Sequence, residues 1–197
     1  ITKAELPEAE CYYLELRGAN SSADVYVNGN KLAHHDGGYS TWRVNISNVL
    51  KDENVIEIDV DNAENDRVYP QNADFTFYGG IYRDVSIIAV PKNHFDLDYY
   101  GSPSIMVTPE IKGADAEIEI KTFFKNEDCK VRYEIIADGE VIASKEDDDD
   151  AELEIKNVHL WDGLADPYLY TAKATLICDG VEVDCVSTRF GCRTSKI

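Results

Sequence analysis

The segment ADVYVNGNKLAHH, residues 23–35, decides the fold. Two runs rich in β-branched and aromatic residues flank Asn28-Gly29, a dipeptide that favours the positive φ angles of a type I′ turn. We therefore predict a β-hairpin centred on this turn. The same pattern recurs at two further dipeptides, Asp138-Gly139 and Asp179-Gly180. The chain is thus expected to contain three hairpins of the same kind.

Four other segments alternate apolar and polar residues with a period of two, as strands with one buried face do. They are VIEIDV (residues 55–60), VSIIAV (85–90), AEIEIKTFF (116–124) and AELEIKNV (151–158). No segment keeps a helical period for longer than one or two turns. We therefore predict an all-β fold.

A break near Pro91 divides the predicted strands. Before it, strands are separated by long loops rich in Asn and Gly. After it, shorter strands follow with turn residues about every ten positions, the spacing typical of an immunoglobulin-like sandwich. We predict two β-sandwich domains, residues 1–91 and residues 92–197.

The charge and the N-terminal composition narrow the class of partner. A formal charge of −19, from 19 basic and 38 acidic residues, disfavours nucleic acid, because phosphate recognition requires clustered Lys and Arg. No apolar run approaches the roughly 18 residues of a membrane helix. The start, ITKAELPEAE, lacks the basic and apolar segments of a signal peptide. We expect no nucleic-acid or membrane partner, and we favour a cytoplasmic bacterial protein over a secreted one.

The cysteines form an odd set without a CxxC motif, which argues against a zinc knuckle and against a complete disulfide framework. They are Cys11, Cys129, Cys178, Cys185 and Cys192. We expect free, mostly packed thiols. The predicted turn at Asp179-Gly180 would set Cys178 opposite Val181, which leaves Cys185 too far along the hairpin to bridge.

The order of motifs in the N-terminal half carries a resemblance to a known family. LELRGANSSADVYVNGNKLAHHDGGYSTWRVNISNVLKDENVIEIDVDN (residues 14–62) contains a strand, a VNG hairpin, a GGY segment and an ENVIEIDVDN strand. This order resembles the N-terminal sugar-binding jelly roll of glycoside hydrolase family 2, which includes β-galactosidases and β-glucuronidases. The family's D-F-x-x-Y-x-G-I-x-R-x-V segment is matched by Asp74, Phe75, Tyr78, Gly80, Ile81, Arg83 and Val85. The preceding NDRVYPQNADF (65–75) is most similar to the galactosidase branch.

The second half carries the same resemblance. LWDGLADPYLYTAKATL (160–176) and STRFGCRTSKI (187–197) are similar to the LW…P-x-LY segment and the F-G-x-R exit of the family's immunoglobulin-like second domain. The resemblance covers nearly the whole chain and implies a jelly roll followed by an immunoglobulin-like sandwich. In the family a TIM barrel follows, and it supplies both catalytic carboxylates.

The resemblance also implies a division of labour in a larger enzyme. Retaining glycoside hydrolysis needs two carboxyl groups about 5 to 5.5 Å apart, and no acidic residue here lies in the family's catalytic sequence context. We therefore expect no catalytic residue in this chain and no activity from it alone. It would form the non-catalytic N-terminal part of a retaining β-galactosidase-like enzyme and shape the active-site rim. We also expect the family's residues before the YYLEL strand to be abbreviated here.

Asp74 is the predicted substrate-binding residue. In the family the matching aspartate reaches into the barrel's pocket and accepts a hydrogen bond from a sugar hydroxyl, a task that suits a carboxylate. The implied partners are a β-galactoside and the absent catalytic barrel. A structural alternative assigns Gly79 and Gly80 to a tight bend and pairs Arg83 with a nearby acid. In that alternative the aromatics Phe75, Phe77, Tyr78 and Tyr82 pack as core.

We predict no metal and no cofactor in the chain itself. His34 and His35 are adjacent on a predicted strand, so their side chains point to opposite faces and do not share a metal. The resemblance implies a cation near the sugar, in a site completed by the absent barrel, to which Asp74 would contribute. The acidic run Lys145–Glu152 is expected to be a solvated hairpin turn rather than a calcium loop.

Several alternatives remain open at this level. Trp42 and Trp161 are expected to anchor a core or a domain interface, with stacking on a sugar ring as the alternative. Two other classes of function compete with the enzyme part: a free-standing carbohydrate-binding module and a structural or adhesive pair of β-sandwiches. The sequence leaves the sugar, its linkage and the oligomeric state undecided.

Overall fold

The computed structural model describes residues 1–69, 72, 74, 76–126, 128–148 and 150–194. These residues are almost entirely strand and loop, and their helical segments are the short 3-10 turns Lys3–Glu5 and Ser47–Val49. The chain forms two compact units, one of Ile1–Lys92 with Tyr100–Ser102 and one of Asn93–Tyr99 with the residues from Pro103 onward. Among the described residues, no helix has the length and apolar character needed to cross a lipid bilayer.

The first unit is a β-sandwich. Its strands are β1 (Cys11–Leu16), β2 (Ala19–Asn20), β3 (Ser22–Val27), β4 (Asn30–Asp36), β5 (Trp42–Asn45), β6 (Ile56–Asp61), β7 (Gly80–Ile81) and β8 (Val85–Val90). They pair antiparallel in the orders β5-β1-β8, β4-β3-β6 and β2-β7. The core takes alternate residues of β1 and β3, such as Leu14, Leu16, Val25 and Val27, because successive side chains of a strand point to opposite faces.

The second unit is an immunoglobulin-like sandwich, as the turn spacing predicted. Its strands are β9 (Ile105–Lys112), β10 (Asp115–Thr122), β11 (Cys129–Ala137), β12 (Glu140–Asp147), β13 (Ala151–Ile155), β14 (Tyr170–Cys178) and β15 (Val181–Phe190). They form sheets in the orders β13-β10-β9 and β12-β11-β14-β15. Ile118 and Ile120 of β10 and Val131, Tyr133 and Ile135 of β11 are fully buried in its core.

The three predicted hairpins are confirmed. The turns join β3 to β4, β11 to β12 and β14 to β15. Asn28 and Gly29 have φ angles of 52° and 78°, the conformation a type I′ turn requires. The other two dipeptides also have positive φ at both positions: Asp138, Gly139, Asp179 and Gly180.

The acidic run is not a hairpin turn. β12 ends at Asp147 and β13 begins at Ala151, and these strands belong to different sheets of the second unit. The run therefore crosses from one layer of the sandwich to the other. Polar residues between two alternating strands look the same in sequence whether the chain turns back or crosses over, so composition did not separate the two.

The prediction of free thiols is wrong for two of the cysteines. Cys129 and Cys178 are joined by a disulfide. The pairing of β11 with β14 places them directly opposite, with their Cα atoms 4.3 Å apart. Their separation of 49 residues hides this neighbour relation, because only the register of the two strands reveals it. Cys178 also lies opposite Val181, as predicted, while Cys11, Cys185 and Cys192 are free.

A buried ion pair joins β1 to β5 in the sheet β5-β1-β8. Glu15 of β1 is 4% exposed and lies directly opposite Arg43 of β5. One carboxylate oxygen accepts from Arg43 Nε at 2.7 Å and the other from Arg17 Nε at 2.8 Å. Arg43 Nη1 also donates to the Ser102 carbonyl at 2.9 Å. Both carboxylate oxygens of this buried acid are therefore compensated.

The disulfide should stabilise the second unit. Replacement by Cys129→Ala with Cys178→Ala is expected to lower its free energy of unfolding by about 3–4 kcal/mol, because the bond closes a loop of about 50 residues in the unfolded chain. Denaturant titration followed by Trp161 fluorescence measures the change. The exposed, free Cys185 provides the control Cys185→Ala, which should leave the midpoint unchanged. Equal stability of the double variant and the parent would contradict the prediction.

The two arginines that pair with Glu15 should contribute unequally to the stability of the first unit. Arg43→Ala is expected to cost about 2–4 kcal/mol, because it strips a buried carboxylate of its buried partner. Arg17→Ala is the matched control and should cost less, since the Arg17 side chain is 54% exposed and solvent screens an exposed pair. Denaturant titration followed by Trp42 fluorescence compares the two. Equal losses would contradict this assignment.

The same ion pair gives the stability a pH dependence. Burial raises the pKa of Glu15, but hydrogen bonds from Arg17 and Arg43 outweigh it and hold the pKa below the usual value of 4.5. A carboxyl with a lowered folded pKa stabilises above its unfolded pKa and loses that contribution as the pH falls through the folded pKa. The stability difference between Arg43→Ala and the parent should therefore be full at pH 7 and shrink below about pH 4. A difference that stays constant down to pH 2 would contradict the prediction.

Candidate functional site

The loop between β6 and β7 carries the predicted substrate-binding residue. Its described residues are 62–69, 72, 74 and 76–79. Asp74 is exposed, and within this described part of the chain no hydrogen bond or ion pair engages its carboxylate. Phe75, which the structural alternative placed in the core, lies outside the described residues. The structure therefore presents Asp74 on the surface of the loop.

Asn20, at the end of β2, connects the two limbs of this loop. Its side chain is 1% exposed. The amide Nδ2 donates to the carbonyl of Tyr78 at 2.6 Å, and Oδ1 accepts a hydrogen bond from the Tyr69 hydroxyl. Tyr69 precedes Asp74 in the chain and Tyr78 follows it. One buried amide thus holds the loop on both sides of the candidate residue.

Aromatic rings form the surface beside this anchor. The Tyr69 ring stacks on Tyr39 at 5.3 Å between centroids and on Phe77 at 5.9 Å. The edge of Tyr82 meets Tyr39 at 6.1 Å, and the Tyr82 hydroxyl donates to the Gly38 carbonyl. Burial and the neighbouring Tyr39 raise the pKa of Tyr69 to about 12. The Tyr69 hydroxyl therefore stays protonated near neutral pH and remains a hydrogen-bond donor.

The paired glycines close the loop, as the sequence predicted. A Cβ on Gly79 would lie 2.6 Å from Asn62 Cγ, so a side chain there would displace Asn62. Asn62 Nδ2 in turn donates to the Phe77 carbonyl at 3.4 Å. Gly80 has a φ of 92°, a conformation that glycine adopts readily. The chain thereby turns from the loop into β7.

A polar network ties the first limb of the loop to the neighbouring sheet. Arg67 Nε lies 3.0 Å from Asp36 Oδ2, and His34 Nε2 lies 3.1 Å from the same oxygen. His34 Nδ1 lies 2.6 Å from Asp24 Oδ1. Hydrogen bonds to Asp24 and Asp36 raise the pKa of His34. The network borders a cleft of about 300 Å³ on this sheet, whose lining includes Asp24, His34, Asp59, Asp61 and Arg67.

Two parts of the structural alternative are wrong. Tyr78 is 75% exposed and Tyr82 is 43% exposed, so neither ring is core. Arg83 does not pair with an acid within the described residues. It donates from Nη1 to the carbonyls of Tyr39 at 2.9 Å and Arg17 at 3.3 Å. Its guanidinium lies 5.2 Å from the centre of the Tyr82 ring, so it holds two backbone segments together instead.

The histidines and tryptophans have separate environments. His35 stacks on Trp42 at 4.8 Å and its Nε2 lies 2.9 Å from Ser40 Oγ, whereas His34 contacts carboxylates, so the two rings face different surroundings as predicted. Trp42 is 8% exposed and belongs to the core of the first unit. In the second unit, the guanidinium of Arg193 lies 5.1 Å from the centre of the Trp161 ring. Among the described residues, no group of three or more His, Cys, Asp or Glu side chains is arranged to hold a metal ion.

The combination of an exposed carboxylate with exposed aromatic rings fits carbohydrate chemistry. A carboxylate accepts charge-assisted hydrogen bonds from hydroxyl groups, and rings such as Tyr39, 52% exposed, offer flat apolar faces with a polar tip. The sequence pointed to Asp74 as the candidate residue and to the glycines of the loop, but it gave no sign of Asn20. A buried asparagine at a strand end has no local signature, because its partners Tyr69 and Tyr78 lie 49 and 58 residues away.

Comparison with known proteins gives consistent results for the two halves. The protein-family model described as "Glycosyl hydrolase 2 galactose-binding domain-like" matches residues 1–108. The model described as "Glycosyl hydrolases family 2" matches residues 103–193. Together they cover the first sandwich and most of the second.

Individual relatives carry the names of two kinds of glycosidase. The crystal structure of an FMN-binding β-glucuronidase from Facaelibacterium prausnitzii L2-6 is similar with a TM-score of 0.91 and 36% identity, over 97% of this chain and 31% of that one. A β-glucuronidase of Bacteroides fragilis is 28% identical over 92% of this chain and 28% of its own length. A β-galactosidase of Thermoanaerobacter pseudethanolicus is 27% identical over 92% of this chain and 26% of its own length.

The matches cover most of this chain but only part of each relative. This chain spans about a third or less of the relatives it matches. The two family models match residues 1–108 and 103–193, which include the anchored loop and Asp74. One family model alone covers more than half of the chain. The chain therefore belongs to glycosyl hydrolase family 2, and it consists of that family's galactose-binding-domain-like sandwich and its second, immunoglobulin-like β-sandwich.

Proposed function

We propose that this chain is the non-catalytic N-terminal part of a retaining β-glycosidase, in which Asp74 binds the terminal sugar of the substrate. The observation that carries the proposal is the placement of Asp74: an exposed carboxylate on a loop that is anchored on both sides by Asn20. A charged side chain on an anchored loop is held for a ligand at little entropic cost.

The chemistry of the loop suits sugar binding and not bond cleavage. A carboxylate that accepts hydrogen bonds from hydroxyl groups fixes the orientation of a sugar ring, and that orientation lowers the barrier for reacting groups supplied elsewhere. The exposed rings of Tyr39 and Tyr82 add flat surface beside the loop. In this proposal the two catalytic carboxylates come from a barrel domain that continues the chain, and this chain shapes the rim of the active site.

Two terminal sugars are candidates for the ligand of Asp74. A β-galactoside is the first candidate, because the segment NDRVYPQNADF (65–75) resembles the galactosidase branch of the family. A β-glucuronide is the second candidate, because the relatives from Facaelibacterium and Bacteroides fragilis are named β-glucuronidases. A galactoside is uncharged, whereas a glucuronide carries a carboxylate, so the two differ in how they respond to charge at the site.

The size and activity of the native protein test the proposal first. An antibody raised against this chain is expected to capture a species far heavier than 22.1 kDa, with the captured material hydrolysing p-nitrophenyl β-galactoside or β-glucuronide. The recombinant 197-residue chain should hydrolyse neither. A native species of the chain's own size without activity would reject the enzyme proposal in favour of a free-standing module.

Substitution of Asp74 in the intact enzyme tests the site. Asp74→Ala is expected to lower kcat/KM about 10- to 100-fold, because a hydrogen bond to a charged group contributes about 1.5–3 kcal/mol. The matched control is Asp66→Ala, which removes another exposed carboxylate from the same loop and should leave kcat/KM unchanged. Equal activity of Asp74→Ala and the parent on both sugars would reject the assigned role.

A further inference from the structure

The loop that carries Asp74 is anchored by a buried side chain, that of Asn20. Asn20 is 1% exposed, and both halves of its amide are engaged: Nδ2 donates to the Tyr78 carbonyl at 2.6 Å and Oδ1 accepts from the Tyr69 hydroxyl. A buried amide left without these partners would carry the cost of an unsatisfied polar group. The two hydrogen bonds are therefore made together and fix Tyr69 and Tyr78 on the same anchor.

Asn20 contacts the loop on both sides of the candidate residue Asp74. Tyr69 lies five residues before Asp74 and Tyr78 lies four residues after it. Tyr69 also stacks on Phe77 at 5.9 Å, which joins the two limbs a second time. Asp74 itself lies between these limbs and is exposed. The contacts that anchor the loop are therefore made by residues on both sides of Asp74 in the chain.

The site of Asn20 is shaped to hold this side chain. A Cβ on Gly38 would collide with Asn20 Oδ1, Cγ and Cβ, so glycine at this position leaves room for the amide. Asn20 pairs with Gly80 across β2 and β7, which places it where the loop returns to the sheet. A larger side chain at Gly38 would displace Asn20 and break both hydrogen bonds.

We propose that Asn20 is a positioning residue for the sugar-binding role of Asp74, acting through its hydrogen bonds to Tyr69 and Tyr78. The inference rests on the proposed function and adds to it. Asn20 touches no substrate; it holds the two limbs so that the Asp74 carboxylate meets the sugar in one place. Loss of the anchor lets the loop sample other positions, and mispositioning of a binding group lowers rates without removing it.

A double-mutant cycle in the intact enzyme tests the coupling. Asn20→Ala is expected to lower kcat/KM about 10- to 100-fold, as Asp74→Ala does. Because both changes remove the same interaction with the sugar, the double variant should be no worse than Asp74→Ala alone. Asn30→Ala is the matched control: this asparagine lies in an exposed hairpin, and its loss should leave kcat/KM unchanged.

Each outcome points to a different conclusion. If Asn20→Ala lowers kcat/KM by its full factor in the Asp74→Ala background as well, its effect is general to the fold and the positioning role is overturned. If Asp74→Ala lowers kcat/KM and Asn20→Ala does not, the positioning role is likewise overturned while the proposed function stands. If Asp74→Ala itself retains full activity, the proposed function is rejected, and the positioning role of Asn20 is rejected with it because it rests on that function.

A milder variant keeps the test informative if Asn20→Ala fails to fold. Tyr69→Phe removes one hydrogen bond to Asn20 and keeps the ring stacked between Tyr39 and Phe77. It is expected to lower kcat/KM about 2- to 10-fold, and this loss should vanish in the Asp74→Ala background. Tyr26→Phe, on β3, is its matched control and should have no effect. An equal loss from Tyr69→Phe in both backgrounds would overturn the proposal.

Discussion

Burial of the apolar side chains of the inner strands is the constraint on which both sandwiches depend. In each unit, alternate residues of the inner strands are fully buried, such as Leu14 and Leu16 of β1 or Ile118 and Ile120 of β10. A slip of one residue would move a strand's whole apolar set to solvent, so the register is strongly specified. That register in turn places Glu15 opposite Arg43 and Cys129 opposite Cys178.

Two buried polar side chains of the first unit, Glu15 and Asn20, have distinct structural consequences. Glu15 is tolerated in the interior because two arginines compensate its charge, and its pair with Arg43 joins β1 to β5. Asn20 is buried because the loop supplies partners to both ends of its amide. In a low-dielectric interior such groups are costly unless satisfied. The first therefore links strands within a sheet, and the second links a sheet to a surface loop.

The candidate site of the first sandwich lies on a loop and not in the core. The core clusters of both units consist of apolar side chains. Three contacts hold the loop between β6 and β7. Asn20 donates a hydrogen bond to the Tyr78 carbonyl, Arg67 of the loop pairs with Asp36, and Tyr69 of the loop stacks on Tyr39. A rigid scaffold that positions a loop is the usual way in which β-sandwich folds acquire binding sites. The ligand that we propose for that loop is a sugar.

Local sequence by itself determined the strands, the hairpins and the fold class, because the period of two and the turn dipeptides act over a few residues. The motif around Asp74 also identified the family and the candidate residue. Tertiary structure alone decided which distant residues meet: the disulfide between Cys129 and Cys178, the crossover of the acidic run, and the anchor at Asn20. These depend on the register and packing of strands far apart in the chain, for which short-range patterns carry no information.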